Sequence, residues 1–160
     1  MRILTKHQAI LSDKNAMEKL LIPSLILMEN AAISACNIIQ NYITKNSKIA
    51  LFCGTGNNGG DGFAIARHLK TIGAENIDIY IFGDISKMSD ETSINYNIIK
   101  NLNLNIFEFT KLKDINSSNF NYDCYIEALI GIGSSENLKS ETAHILDIIN
   151  SKNAYKIAID

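Results

Sequence analysis

The chain has 160 residues, 46% hydrophobic and 20% charged, and its 15 Lys and Arg against 17 Asp and Glu leave a formal net charge of −2. This is the balance of one soluble globular domain, long enough to bury a core and without the cationic excess that draws a protein to nucleic acid or an anionic membrane. No apolar stretch reaches membrane-span length, the first residues lack signal-peptide anatomy, and Cys36, Cys53 and Cys124 fit neither a disulfide framework nor a zinc site, so a reduced, cytoplasmic setting is expected.

In chain order, Thr5-Lys6-His7-Gln8 has the form of a capping box and opens a helix running to about Leu20. Pro23 and Ser24 start a second helix, extending to about Tyr42. Its polar residues Asn30, Ser34, Asn37 and Asn41 form one narrow stripe, and most of the remaining circumference is apolar. Such a helix calls for burial on more than one side, against its own sheet and against either further core or a partner subunit of a homodimer. The apolar run Lys48–Cys53 reads as a strand, and after the glycine-rich segment behind it a helix spans about Gly60 to Ile72 and closes at Gly73. Ile77–Phe82 is the next strand. A helix from about Asp90 to Leu102 then sets Ile94, Ile98 and Leu102 on one face.

Leu104–Phe109 and Tyr122–Ile130 read as further strands, Ser140–Asn150 as a helix with Ile145, Ile148 and Ile149 inward, and Tyr155–Ile159 as a last strand. Strands that alternate with helices and are apolar nearly throughout indicate a parallel sheet covered on both faces. The expected fold is a doubly wound α/β domain, a Rossmann-like three-layer αβα sandwich with a mostly parallel sheet, whose ligands bind beyond the carboxyl ends of the strands. No internal repeat or second domain is visible. The chain stops inside a core-like strand, at the end where functional residues normally lie, and so is expected to be incomplete. His7, His68 and His144 are scattered and read as surface or helix residues rather than ligands.

The most informative segment is Gly54-Thr55-Gly56-Asn57-Asn58-Gly59-Gly60-Asp61-Gly62, with five glycines in nine residues between a strand and a helix. Bare backbone here is expected to let main-chain amides approach a ligand, with Asn57, Asn58 and Asp61 supplying the chemistry. Gly54-x-Gly56-x-x-Gly59 also satisfies the dinucleotide fingerprint, and Asp84 could stand as the ribose-binding acid about 20 positions on. An Asp61 carboxylate in the first helical turn would repel a pyrophosphate bound there, and the absence of Gly-Lys-Ser/Thr excludes a P-loop. The plain alternative is a tight turn in which Asp61 only complements the helix dipole.

Taken together, these segments resemble a known family. Gly54 to Gly62 with Ala66-Arg67-His68-Leu69, Leu27-Met28-Glu29-Asn30-Ala31, Glu127-Ala128-Leu129-Ile130-Gly131-Ile132-Gly133 and Ala158-Ile159-Asp160 resemble, in order, the conserved strings of the YjeF N-terminal domain, the NAD(P)H-hydrate epimerases. The resemblance implies an isomerase of metabolite repair that interconverts the R and S forms of hydrated NADH and NADPH (NADHX and NADPHX). A separate or fused ATP- or ADP-dependent dehydratase would then restore the S form. It also implies substrate contacts from Asn57, Asn58, Gly59, Gly60 and Asp61, and a second substrate loop of Gly131, Ile132, Gly133, Ser134, Ser135, Glu136 and Asn137. Asn58 and Glu127 would ligate potassium, and Asp160 would be the carboxylate beside the reacting ring.

A carboxylate in a partly desolvated pocket can act as acid or base near neutrality, which is the chemistry asked of Asp160. The chain departs from the family pattern at Glu127, where the family has Asp, at Ile132, where it has Thr, and at Ala32, where it has Gly. The stretch Ser134-Ser135-Glu136-Asn137 lacks the family's Leu. The Pro-Ser-Gly expected after Asp160, whose Ser would complete the cation site, is absent, so the 160-residue form is expected to be weakly active or inactive. Two other readings stand beside the epimerase: a non-catalytic module of the same fold, as in messenger-RNA decapping scaffolds, and a hydride-transferring oxidoreductase. Retention of Asn57, Asn58, Asp61 and Asp160 favours the enzyme, since a scaffold has no need of a polar, glycine-lined cleft.

Overall fold

The computed structural model describes residues 4–110, 120–131 and 140–159. Two helices, α1 (Lys6–Lys19) and α2 (Ser24–Ile39), precede β1 (Lys48–Cys53), α3 (Asn57–Thr71), β2 (Asn76–Phe82), α4 (Asp90–Asn101) and β3 (Asn105–Phe109). β4 (Cys124–Ala128), α5 (Ser140–Asn150) and β5 (Tyr155–Ala158) complete the order. The five strands form one parallel sheet in the order β3-β2-β1-β4-β5. The expected Rossmann-like three-layer fold is the fold observed.

Alternation along β1 divides the interior. Ile49, Leu51 and Cys53 point into a core shared with α2, α3 and α4, whereas Ala50 and Phe52 point into a second core closed by Ile145 and Ile149 of α5. All five of these β1 residues are fully buried, as a central parallel strand requires. The second core is aromatic: Phe52 stacks on Tyr80 at 5.0 Å between ring centroids, and Phe120 meets both rings edge-on. Its tyrosine hydroxyls are satisfied by a short chain in which Tyr122 donates to Asp78 (2.6 Å) and lies 2.5 Å from the Tyr80 hydroxyl.

Two expectations about the helices are corrected. α3 begins at Asn57, so the glycine-rich segment is mostly helix rather than loop, and α2 stops at Ile39 instead of Tyr42. α4 turns Thr92, Asn95, Tyr96 and Ile99 inward, leaving Ile94 44% and Leu102 40% exposed. The Ile94-Ile98-Leu102 row is a genuine helical stripe, but the buried face satisfies polar groups that it could not. The Thr92 hydroxyl donates to the Gly56 carbonyl (3.0 Å) and Tyr96 donates to Glu108 (2.5 Å). The polar stripe of α2 is exposed as expected, yet only one side of that helix is buried, by Met28, Ala32, Cys36 and Ile39. Ile26, Ile33 and Ile38 remain 40–61% exposed. Among the described residues no helix is long and apolar enough to cross a membrane.

Candidate functional site

The chain leaves β1 toward β2 on one side, while β4 lies on its other side. Strand order therefore reverses at β1, and the crevice beyond the carboxyl ends of β1 and β4 is the position where ligands bind in this architecture. The Gly54 N–H donates to the Ala128 carbonyl (3.1 Å), tying the two strand ends together. Gly56 then caps α3 in extended conformation without a side-chain acceptor, leaving the first-turn amides of α3 without a side-chain cap.

The glycines serve a different purpose from the one expected of them. None of those between Gly54 and Gly62 has positive φ. Space is what they supply. A Cβ on Gly59 would stand 1.9 Å from the Gly54 carbonyl oxygen, one on Gly60 2.6 Å from Thr92 Oγ1 and 2.7 Å from Met28 Cε, and one on Gly62 2.6 Å from Cys53 Sγ. These three residues seat α3 against β1, α2 and α4. Of the five glycines from Gly54 to Gly62, only Gly56 has open space where a Cβ would be.

The two asparagines fasten the rim. The Asn57 side-chain oxygen accepts from the Ser89 hydroxyl at 2.6 Å. Asn58 Nδ2 donates to the Ile130 carbonyl at 2.7 Å, and a Cβ on Gly131 would lie 3.0 Å from Asn58 Cβ. Glu127 reaches the same loop from beneath: its Oε1 accepts from the N–H groups of Leu129 (2.6 Å) and Ile130 (2.9 Å). Asn58 and Glu127, far apart in sequence, thus converge on one tripeptide, the amide through its nitrogen and the carboxylate as an acceptor. Among the described residues no group of three or more His, Cys, Asp or Glu gathers as a metal cluster.

Above the rim lies a cleft of about 950 Å³. Its floor is Gly56, Asn57, Asn58, Gly59 and Asp61, with Leu129 and Gly131 at one side. Leu27, Met28 and Ala31 of α2 form an apolar wall, and Ser24 donates to Glu91 at its edge, holding that carboxyl below its usual range. Because α3 starts at Asn57, Asp61 falls in the second turn of the helix. The expected first-turn repulsion and the dipole-complementing alternative both lose their geometric basis. Burial, and secondarily the charge of Asp13 on α1, push the Asp61 carboxyl up to about 7, and it accepts no hydrogen bond among the described residues. The carboxyl therefore exchanges its proton near neutrality, and it lines a ligand-sized cavity.

Of the residues expected to bind substrate, Asn57, Asn58, Gly59, Asp61 and Gly131 line this cleft, whereas Gly60 is turned inward against Met28 and Thr92. Ile132, Gly133, Ser134, Ser135, Glu136, Asn137 and Asp160 lie outside the described residues. Sequence reasoning missed the opposite wall, made by Lys6, Ala9, Ile10, Asp13 and Met17 of α1. The available signal was their spacing, which places them on one helical face. It also missed that two quoted strings are partners. Glu29 of α2 pairs with Arg67 of α3 and, at 2.8 Å, with His68 Nε2. Burial raises the Glu29 carboxyl, but the Arg67 and His68 contacts outweigh it and hold it below its ordinary range.

A family model described as YjeF-related protein N-terminus matches residues 24–160. The chain is 33% identical over 152 residues to an NAD(P)H-hydrate epimerase of Anaerococcus prevotii, covering 92% of this chain and 68% of the relative. It is 32% identical to an NAD(P)H-hydrate epimerase of Oenococcus oeni, covering 98% of this chain and 72% of that one. A bifunctional NAD(P)H-hydrate repair enzyme Nnr of Dictyoglomus turgidum is 30% identical across the whole chain, which spans 31% of its length. The crystal structure of yeast ynu0 superposes with a TM-score of 0.79 at 19% identity, covering all of this chain and 70% of that one.

Proposed function

The chain belongs to the YjeF-related protein N-terminus family, and from that premise we propose that it is an isomerase, an NAD(P)H-hydrate epimerase interconverting the R and S hydrates of NADH and NADPH. The observation that carries this reading is the cleft beyond β1 and β4. It pairs a dinucleotide-sized volume with Asn57, Asn58 and the Asp61 carboxyl, whose hold on its proton is raised, on its floor.

Epimerising a hydroxyl-bearing ring carbon requires protons to move at the hydrate oxygen or the ring. A protonated Asp61 can donate to such an oxygen, and Asp160, two positions beyond the end of β5, is the carboxylate assigned to the reacting ring. Asn57, Asn58, Gly59 and Gly60, with the second loop from Gly131 to Asn137, make up the remainder of the assigned substrate site. Potassium is the cation assigned to Asn58 and Glu127. A hard monovalent ion takes oxygen ligands, and the shared attachment of these two residues to the Leu129–Gly131 loop supports that assignment. The ion would supply a fixed positive charge beside the bound dinucleotide.

The functional partner in this reading is a dehydratase specific for the S hydrate and driven by ATP or ADP, fused in relatives of the bifunctional kind. Exposed Ile26, Ile33 and Ile38 on α2 support a homodimer, and three buried, unpaired cysteines support a cytoplasmic setting. The test mixes R and S hydrates with an S-specific dehydratase and its nucleotide. The protein is expected to speed consumption of the R form beyond the spontaneous rate; no acceleration, in this chain and in one extended to the length of its relatives, favours a non-catalytic binding module. Exchange of sodium for potassium at constant ionic strength is expected to raise the rate, and an unchanged rate removes the cation from Glu127.

A further inference from the structure

The helix α1 is the anomaly of this molecule. It buries none of its residues, yet an isolated helix of 14 residues is marginal in water. Its ends are well made: the Thr5 side chain accepts from the Gln8 N–H, and Gln8 reciprocates to the Thr5 N–H at 3.0 Å. Its contact with the rest of the fold is slight and includes α2. Lys6, Ile10, Asp13 and Met17 share one face, and that face lines the cleft instead of a core, leaving Ile10 46% and Met17 39% exposed across a gap of about 950 Å³. The family match begins at residue 24, so this wall lies outside it.

Charge gives the wall a direction. Among the described lining residues Lys6 is the single cation, against the acids Asp13, Asp61 and Glu91. Glu91 is engaged by the Ser24 hydroxyl, while the Asp13 charge disfavours ionisation of Asp61. A dinucleotide carries its negative charge on phosphate, which acids repel and a mobile ammonium attracts. Apolar Ile10 and Met17 suit the ring faces that the rest of such a ligand presents.

We propose that α1 is the specificity wall of the substrate site, in which Lys6 binds a phosphate of the dinucleotide while Ile10 and Met17 close over its body. Ligand then supplies the contact surface that α1 lacks when the cleft is empty. The proposal rests on the epimerase reading for the identity of the ligand, though not for the engagement of the helix.

Two measurements on the 160-residue chain separate the two claims. In the coupled assay, Lys6→Glu is expected to raise KM for NADPH hydrate about tenfold with kcat within about twofold, because reversing one charge near a phosphate costs roughly one power of ten in affinity. Lys6→Arg is expected to retain the wild-type KM. Amide hydrogen exchange of residues 6–19 is expected to slow when NADPH hydrate is added, and to slow less in Lys6→Glu. Wild-type turnover with an unchanged KM in Lys6→Glu and no change in α1 exchange overturns the wall while leaving the epimerase intact. No turnover in this chain and in one extended to the length of its relatives, together with slowed α1 exchange, keeps the wall and rejects the epimerase.

Discussion

Gly59 and Gly56 stand three residues apart and differ in what surrounds them. Gly59→Ala is expected to destabilise the fold by about 3 kcal/mol or more, since the new methyl meets the Gly54 carbonyl oxygen, a backbone atom with nowhere to go. Gly56→Ala, with ordinary φ and open space, is expected to cost no more than about 1 kcal/mol. Urea denaturation of the pair checks both. Asp61 is the second residue-scale case. Its carboxyl titrates from 3.8 in the unfolded chain to about 7 in the fold, so the folded state holds the extra proton and stability falls as pH rises through that window. Asp61→Asn should flatten this dependence and raise stability at pH 8 by roughly 1–3 kcal/mol while lowering epimerisation. Unfolding midpoints at pH 5 and pH 8 read the effect; parallel shifts in both proteins would contradict it.

At the scale of elements, α2 and α3 are joined by the Glu29, Arg67 and His68 contacts in addition to their apolar faces. Glu29→Gln is expected to cost about 1–2 kcal/mol, less than a buried pair would, because the groups are 20–35% exposed and solvent screens them. The Glu29 carboxyl is depressed in the fold, so its contribution is present above the unfolded value of 4.5 and disappears as pH falls through the folded one. Wild type and Glu29→Gln should therefore converge in stability at acid pH, a comparison that thermal unfolding between pH 3 and pH 7 makes directly. Neither segment announced this in the sequence. Each was legible as a motif, but pairing across 38 residues depends on how two helices pack, which periodicity does not report. The same limit explains α4, where Ile94, Ile98 and Leu102 gave a clean stripe and hydrogen bonds from Thr92 and Tyr96 decided the rotation instead.

For the whole molecule, the alternation of apolar strands with helices was enough to read a covered parallel sheet, because full burial on both faces leaves its mark on every strand residue from Ile49 to Cys53. The cleft was half legible. Asn57, Asn58 and Asp61 were read from the glycine-rich segment, while the facing wall was missed because Lys6, Ile10, Asp13 and Met17 share a helical face that mixes charged with apolar residues and so does not read as core. The slight contact of this helix has a measurable consequence. A chain beginning at Ser24 is expected to unfold within about 1–2 kcal/mol of the parent, since no buried residue is lost among those described, and a larger loss would show that α1 supports the core.

The rim offers one more consequence. Asn58 holds the Ile130 carbonyl and Gly54 holds the Ala128 carbonyl, so the loop after β1 and the loop after β4 are each other's anchors. An insertion or deletion in either would dislodge both, and drift in one must wait for a compatible change in the other. Variation among descendants of this sequence should therefore accumulate across the cleft, on α1, where a residue can change without asking permission of the sheet. New ligand preferences would evolve from the wall inward, with the floor inherited intact.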